Sequence, residues 1–194
     1  MTYTPTQTLT FDEFIAQYGD NFRYELADGE LIDRSLTGPH EAVGGKLATK
    51  IGIAIAQHQH PWFIPRTCLI RPFSDRATAR RPDIVVLDET ALSSEPCWEK
   101  EPSITLGRSI KLVVEVVSTN WETDYARKVE EYALLGILEY WIADYRGLGG
   151  IAFIGKPNSR PSQFARLKGK NTRSSSIAWG SPFTRPYCPN SSFA

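Results

Sequence analysis

The chain has 194 residues, 41% of them apolar and 11% aromatic, enough for one packed core and best taken as one domain with appendages. Its formal charge is zero, yet from Lys156 onward there are seven Lys or Arg and no acid, so the first 155 residues carry a net charge of −7. Such an acidic body is a poor non-specific nucleic-acid binder, because phosphate contacts dominate that affinity, and any nucleic-acid contact would need a local basic patch.

Thr10-Phe11-Asp12-Glu13 ahead of Phe14 and Ile15 has capping-box spacing and predicts a short helix from about Phe11 to Tyr18. In Tyr24-Glu25-Leu26-Ala27-Asp28-Gly29-Glu30-Leu31-Ile32, the Asp28-Gly29 pair between two extended runs predicts a tight hairpin. Glu25, in its first arm, either faces a site or faces solvent. Pro39-His40 opens a segment with Val43, Leu47, Ile51 and Ile55 at four-residue spacing, which predicts a long amphipathic helix to about Gln57. His40, near its start, is a cap, a surface residue or a functional group.

Trp62–Pro65 and Cys68–Ile70 predict one or two strands. Five arginines lie between Arg66 and Arg81; they are either phosphate-positioning groups or a solvated loop that partners the acidic body. Arg81-Pro82-Asp83-Ile84-Val85-Val86-Leu87 then places Asp83 at the head of an apolar run, and Leu112–Ser118 is a second such run broken by Glu115. A buried carboxylate costs several kcal/mol (roughly) unless it is protonated, paired or bound to a metal, so two of them on adjacent interior strands suggest a divalent-cation site. The stretch from Asp88 to Ser109 is a connecting excursion. After Ser118-Thr119-Asn120 a helix is predicted from about Glu122 to Leu135, ending at Gly136, with Tyr125, Val129, Tyr132 and Ala133 on its apolar face and Lys128 bordering it. Glu139–Asp144 predicts a strand, making a strand–helix–strand crossover around Glu115, and Gly147–Gly150 a turn into a last strand, Ile151–Ile154.

From Pro157 there are eight Ser, five Pro and no acid, and little periodicity, so the chain divides into a body, residues 1–156, and an atypical tail, residues 157–194. No run of 18 apolar residues occurs, the N-terminus has no basic flank or apolar core, and Cys68, Cys97 and Cys188 show no metal-ligand spacing. The expectation is a cytoplasmic protein without a membrane segment.

Buried ion pairs produce the same residue types, so two readings stand side by side, and the chemistry of the functional one is phosphodiester hydrolysis. Asp83, Glu115 and the backbone carbonyl of Val116 are hard oxygen donors suited to Mg²⁺ or Mn²⁺, and Lys128 could polarise the attacking water or stabilise the transition state. No Ser–His–Asp or Cys–His set has suggestive spacing, and no glycine-rich phosphate fingerprint precedes a helix.

Several motifs in order carry a resemblance. Tyr24-Glu25-Leu26 with Asp28-Gly29-Glu30, His40, Pro82-Asp83, Leu112–Ser118, Asp124 with Lys128 and Tyr132, Gly136, and Glu139-Tyr140-Trp141-Ile142 together resemble the Uma-two family of the PD-(D/E)XK nuclease superfamily. The resemblance runs to about Pro157. It implies an α/β (mixed α+β) fold with a restriction endonuclease-like core, a mixed central sheet flanked by helices. It also implies Asp83 and Glu115 as metal ligands, Glu25 as a further carboxylate, a DNA substrate and a divalent metal. The usual lysine of the motif would fall at Val117, and Lys128 on the following helix is the matching candidate. The tail departs from the family's pattern, as if a frameshift near Lys156 had replaced the native C-terminus.

Three functional expectations result. The first is a divalent-metal-dependent DNA endonuclease with Asp83, Glu115, Lys128 and Glu25 as its working residues, acting as a homodimer, since cutting both strands of a duplex takes two sites. The second is a catalytically inactive nuclease-fold protein that binds nucleic acid or a protein partner. The third is a pseudogene-like product whose altered tail prevents function. The approach of the Lys128 ammonium to the carboxylates separates the first two.

Overall fold

The computed structural model describes residues 8–34, 36–72, 76–117, 123–146, 163–168 and 175–178. Helix α1, Phe11–Tyr18, starts at the expected capping box: Thr10 Oγ1 accepts from the Glu13 N–H, and the Glu13 carboxylate accepts from the Thr10 N–H. Strands β1, Tyr24–Ala27, and β2, Glu30–Asp33, form the hairpin. Its turn needs positive φ at both central residues, 53° at Asp28 and 82° at Gly29, the backbone that Asp-Gly accepts most readily. Helix α2 spans Gly38–Gln57, with Pro39 in its first turn.

The chain then lays down β3, Trp62–Phe63; β4, Leu69–Ile70; β5, Ile84–Asp88; β6, Ser103–Ile104; β7, Ile110–Val116; and β8, Glu139–Asp144. Between β7 and β8, a π-helical turn over Thr123–Arg127 leads into helix α3, Lys128–Leu135. Strands β9, Gln163–Lys168, and β10, Ser175–Ala178, follow, so regular backbone continues beyond residue 157. The expected caps at Ser118–Asn120 and the expected strand Ile151–Ile154 lie outside the described residues.

The main sheet has the order β10-β9-β8-β7-β5-β3. Only β7 and β8 pair in parallel, joined by the α3 crossover, and the other neighbours are antiparallel. Strands β5 and β7 sit inside the sheet and are covered on both faces, which is why their sequences are continuous apolar runs rather than alternating ones. On one face Leu112, Val114 and Val116 pack with Ile84 and Val86 under Leu47, Val43 and Ile51 of α2. On the other, Val113, Val117, Val85 and Ile142 pack with Tyr132 and Val129 of α3. A third cluster joins Phe11 and Phe14 of α1 to Leu26 and Leu69, and paired backbone bonds between Leu26 and Ala79 attach the hairpin to the segment before β5.

At the far end of α3, Gly136 takes a left-handed φ of 86° and closes the helix through bonds from its N–H to the carbonyls of Ala133 and Tyr132. Gly107 passes so close that a Cβ there would stand 2.1 Å from the Leu135 carbonyl oxygen. Among the described residues, no helix is long and apolar enough to cross a membrane.

Candidate functional site

The alternation of β7 decides where Glu115 points. Its neighbours Val114 and Val116 face α2, so Glu115 faces α3 together with Val113 and Val117. There, Lys128 and Tyr132, one helical turn apart on α3, reach the same carboxylate: Lys128 Nζ lies 3.1 Å from Glu115 Oε2, and the Tyr132 hydroxyl donates to Oε1 at 2.8 Å. Burial, and then the Glu115 charge, push the Tyr132 hydroxyl well above its ordinary pKa, so it remains a donor.

Asp83 precedes β5 by one residue, and the Ile84–Val114 pairing continues into its approach to Glu115 and Val116. Its Oδ2 accepts from the Val116 N–H at 2.6 Å and lies 3.3 Å from His40 Nε2, while Arg34 forms an ion pair with Oδ1. Burial opposes ionisation of Asp83. The His40 hydrogen bond, the Arg34 and His40 charges and the Val116 N–H outweigh it and hold the carboxyl below its ordinary range. His40, buried at the start of α2, also lies 3.0 Å from the Val116 carbonyl oxygen; that atom can only accept, so Nε2 carries a proton. Burial pushes the His40 imidazole down, but its bond to Asp83 and the Asp83 charge, with Glu41 behind them, raise it overall.

Glu25 is buried on β1, its Oε1 held by Arg80 Nη1 at 3.0 Å, with Lys128 Nζ at 3.9 Å. Burial opposes its ionisation, and Lys128, Arg80 and Arg34 together keep the carboxyl below the usual value. The hairpin thus brings a third carboxylate to the one cavity, of about 140 Å³, that Asp83, Glu115, Val116 and Lys128 also line. A wider hollow of about 480 Å³ at the end of α1 is open to solvent, with Asp20 and Arg23 as its charged lining groups; the clustered acids and bases are not there.

All five residues that the sequence singled out therefore share one cavity, and His40 joins them. The arginines before Asp83 divide in a way that neither expectation foresaw. Arg80 is buried and forks onto Glu131 at 2.7 and 2.8 Å, and Arg81 donates to the carbonyls of Tyr18, Gly19 and Tyr24, locking α1 to β1. Arg66 and Arg76 are exposed, and the exposed Arg71 lies over the Phe11 ring. Arg34 escaped the sequence reading altogether, because an arginine just past a hairpin arm carries no local signal of burial.

Among the described residues, no three His, Cys, Asp or Glu side chains form a ready-made metal cluster. The donor chemistry nevertheless fits a hard divalent cation: two carboxylates and a peptide carbonyl, all oxygen, at neighbouring strands opening into one cavity. Mg²⁺ characteristically uses one or two protein carboxylates and keeps its remaining positions for water or substrate phosphate.

The sequence matches the model of the Uma2 family, described as "Putative restriction endonuclease", over residues 11–165. No curated protein matches the chain. A crystal structure described as a putative nuclease belonging to DUF820, from Anabaena variabilis, is similar with a TM-score of 0.61 at 15% identity, covering 87% of this chain and 84% of that one. At that identity the likeness shows the fold, a nuclease fold in which a mixed sheet is flanked by helices. The family match extends over most of the chain, including every residue of the cavity, and the chain belongs to the Uma2 family of restriction endonuclease-like nucleases.

Proposed function

We propose that the chain is a divalent-metal-dependent DNA endonuclease that hydrolyses phosphodiester bonds in the cytoplasm. The observation that carries this reading is the approach of Lys128 to within 3.1 Å of Glu115, from a different element, inside the cavity that Asp83 also lines. Asp83, Glu115 and the Val116 carbonyl would hold Mg²⁺ or Mn²⁺. When bound, such an ion supplies a nucleophilic water at neutral pH and relieves charge on the phosphoryl oxygens. In this reading Lys128, 3.1 Å from Glu115, donates to the attacking water or to a phosphoryl oxygen as the P–O bond to the leaving strand breaks. Val117 cannot perform that task; it is buried in the apolar cluster beneath α3. Glu25, kept ionised, orients the Lys128 ammonium, and His40 fixes the Val116 carbonyl. Cutting both strands of a duplex takes two sites, so we include a homodimer in the proposal.

A second reading, an inactive nuclease fold that binds nucleic acid or a protein, is favoured by one observation. Each oxygen of Asp83 and of Glu115 already has a protein donor, from Arg34, Val116, Tyr132 and Lys128.

Calorimetric titration of Mn²⁺ into the full chain, with supercoiled-plasmid cleavage alongside, separates the two. The expected outcome is Mn²⁺ binding lost in Asp83→Ala and Glu115→Ala, and nicking that Lys128→Ala lowers by about a hundredfold or more, as for loss of one transition-state donor. Folded protein that neither binds Mn²⁺, with or without oligonucleotide, nor nicks DNA would establish the second reading.

A further inference from the structure

The cavity's own side chains already offset its three carboxylates, with one cation to spare. Glu25, Asp83 and Glu115 face Arg34, Arg80 and Lys128, with Arg127 also lining the space. A divalent ion adds two positive charges to this set, and one resident cation must give way for it to enter without strong repulsion.

The candidates are not equivalent. Arg80 is bound through three hydrogen bonds to Glu131 and Glu25, neither of them a proposed ligand. Arg127 is committed to Asp28 and Glu131 at 2.8 and 2.7 Å. Lys128 is carried by α3 and approaches both Glu115 and Glu25. Arg34 is the cation paired with Asp83, and its other bond, to the Phe22 carbonyl, is long at 3.3 Å. It also stands one residue beyond β2, where its peptide N–H still donates to the Arg23 carbonyl at 2.9 Å, so the backbone stays anchored while the side chain swings.

We propose that Arg34 is an internal counter-ion: it occupies Asp83 in the metal-free protein, exchanges with the divalent ion, and then offers its freed guanidinium to a phosphate oxygen of the substrate backbone. This rests on the metal-dependent reading above. The chemistry suits an arginine, since a guanidinium fork matches carboxylate and phosphate equally well and keeps its charge throughout. Arg34 is then a substrate-binding residue whose removal has opposite effects on two ligands, tightening the metal and weakening the phosphate.

The test is calorimetric titration of Mn²⁺ into the full-length wild type, Arg34→Gln and Asp83→Ala, each melted in parallel to establish folding. The expected result is a Kd for Mn²⁺ at least about fivefold lower in Arg34→Gln than in wild type, the low end of coupling between linked sites. With Ca²⁺ present, the same variant should bind a duplex oligonucleotide more weakly. In the wild type, titration with diamagnetic Mg²⁺ should also move the arginine Nε–H resonance that Arg34→Lys removes, an arm that does not need Arg34→Gln to fold. Wild-type Mn²⁺ binding that Arg34→Gln leaves unchanged or weakens, or an Arg34 resonance that Mg²⁺ does not move while it binds, overturns the exchange and leaves the metal site standing. No Mn²⁺ binding in wild type or in Arg34→Gln overturns both.

Discussion

Glu25 is 3% exposed and surrounded by Arg80, Lys128 and the peptide N–H of Arg81, so its charge works for the fold as well as for the site. Because its folded-state carboxyl titrates below the ordinary value of 4.5, its stabilising contribution is complete above that value and is lost as pH falls through the folded pKa. Glu25→Gln should therefore lower stability at pH 7, by about 3–5 kcal/mol if the pair breaks without relaxation. The gap from wild type should close as the pH is taken below about 4.5, measured by urea unfolding at stepped pH. A gap that stays constant into acid would mean that shape, not charge, is what the position requires. The same scale explains what could be read in advance. Asp83 and Glu115 stood out because a carboxylate inside an apolar run needs a partner, whereas Arg34 lies in a stretch where charged and apolar residues mix, and only the folded hairpin turns it inward.

Among elements, the strand β7, helix α3 and strand β8 were legible as a crossover because apolar runs bracket a segment of helical period. What could not be read was the division of that segment. The expected helix from Glu122 is a π-helical turn over Thr123–Arg127 followed by α3, and a π-turn differs from an α-turn by one backbone bond with no side-chain signature. Tyr132 was likewise placed on the apolar face of α3, and its ring does pack there, but its hydroxyl crosses to Glu115 and joins helix to strand. Tyr132→Phe keeps the ring and removes the link. It should cost about 1.5–3 kcal/mol, the worth of a hydrogen bond to a charged group, read from the midpoint of chemical denaturation. A loss of only a few tenths would show that Lys128 alone holds Glu115 against α3.

Over the whole molecule, composition changes at residue 157, yet two strands of the main sheet, β9 and β10, come from beyond that point. Strand β9 pairs with β8 along six residues, from Glu139–Lys168 to Asp144–Gln163, and β10 covers β9 in turn. Ending the chain after Lys156 would strip this edge from the sheet and leave β8 with unpaired backbone groups facing solvent. Such a truncation should lower the Tm by about 5 °C or more and make the protein prone to aggregate, seen in a thermal melt with light scattering. An unchanged melt would assign the strands after Lys156 no part in holding the body together. A last consequence concerns how such a protein can change over generations. Helix α3 is a rod of about 12 Å, with Lys128 at one end and, at the other, a carbonyl that leaves Gly107 no room for a methyl group. Any side chain gained at Gly107 must push the rod, and the rod carries the ammonium. A position that never meets a substrate is thereby closed to drift, and a lineage could forfeit its chemistry there while every residue of the cavity stayed unaltered.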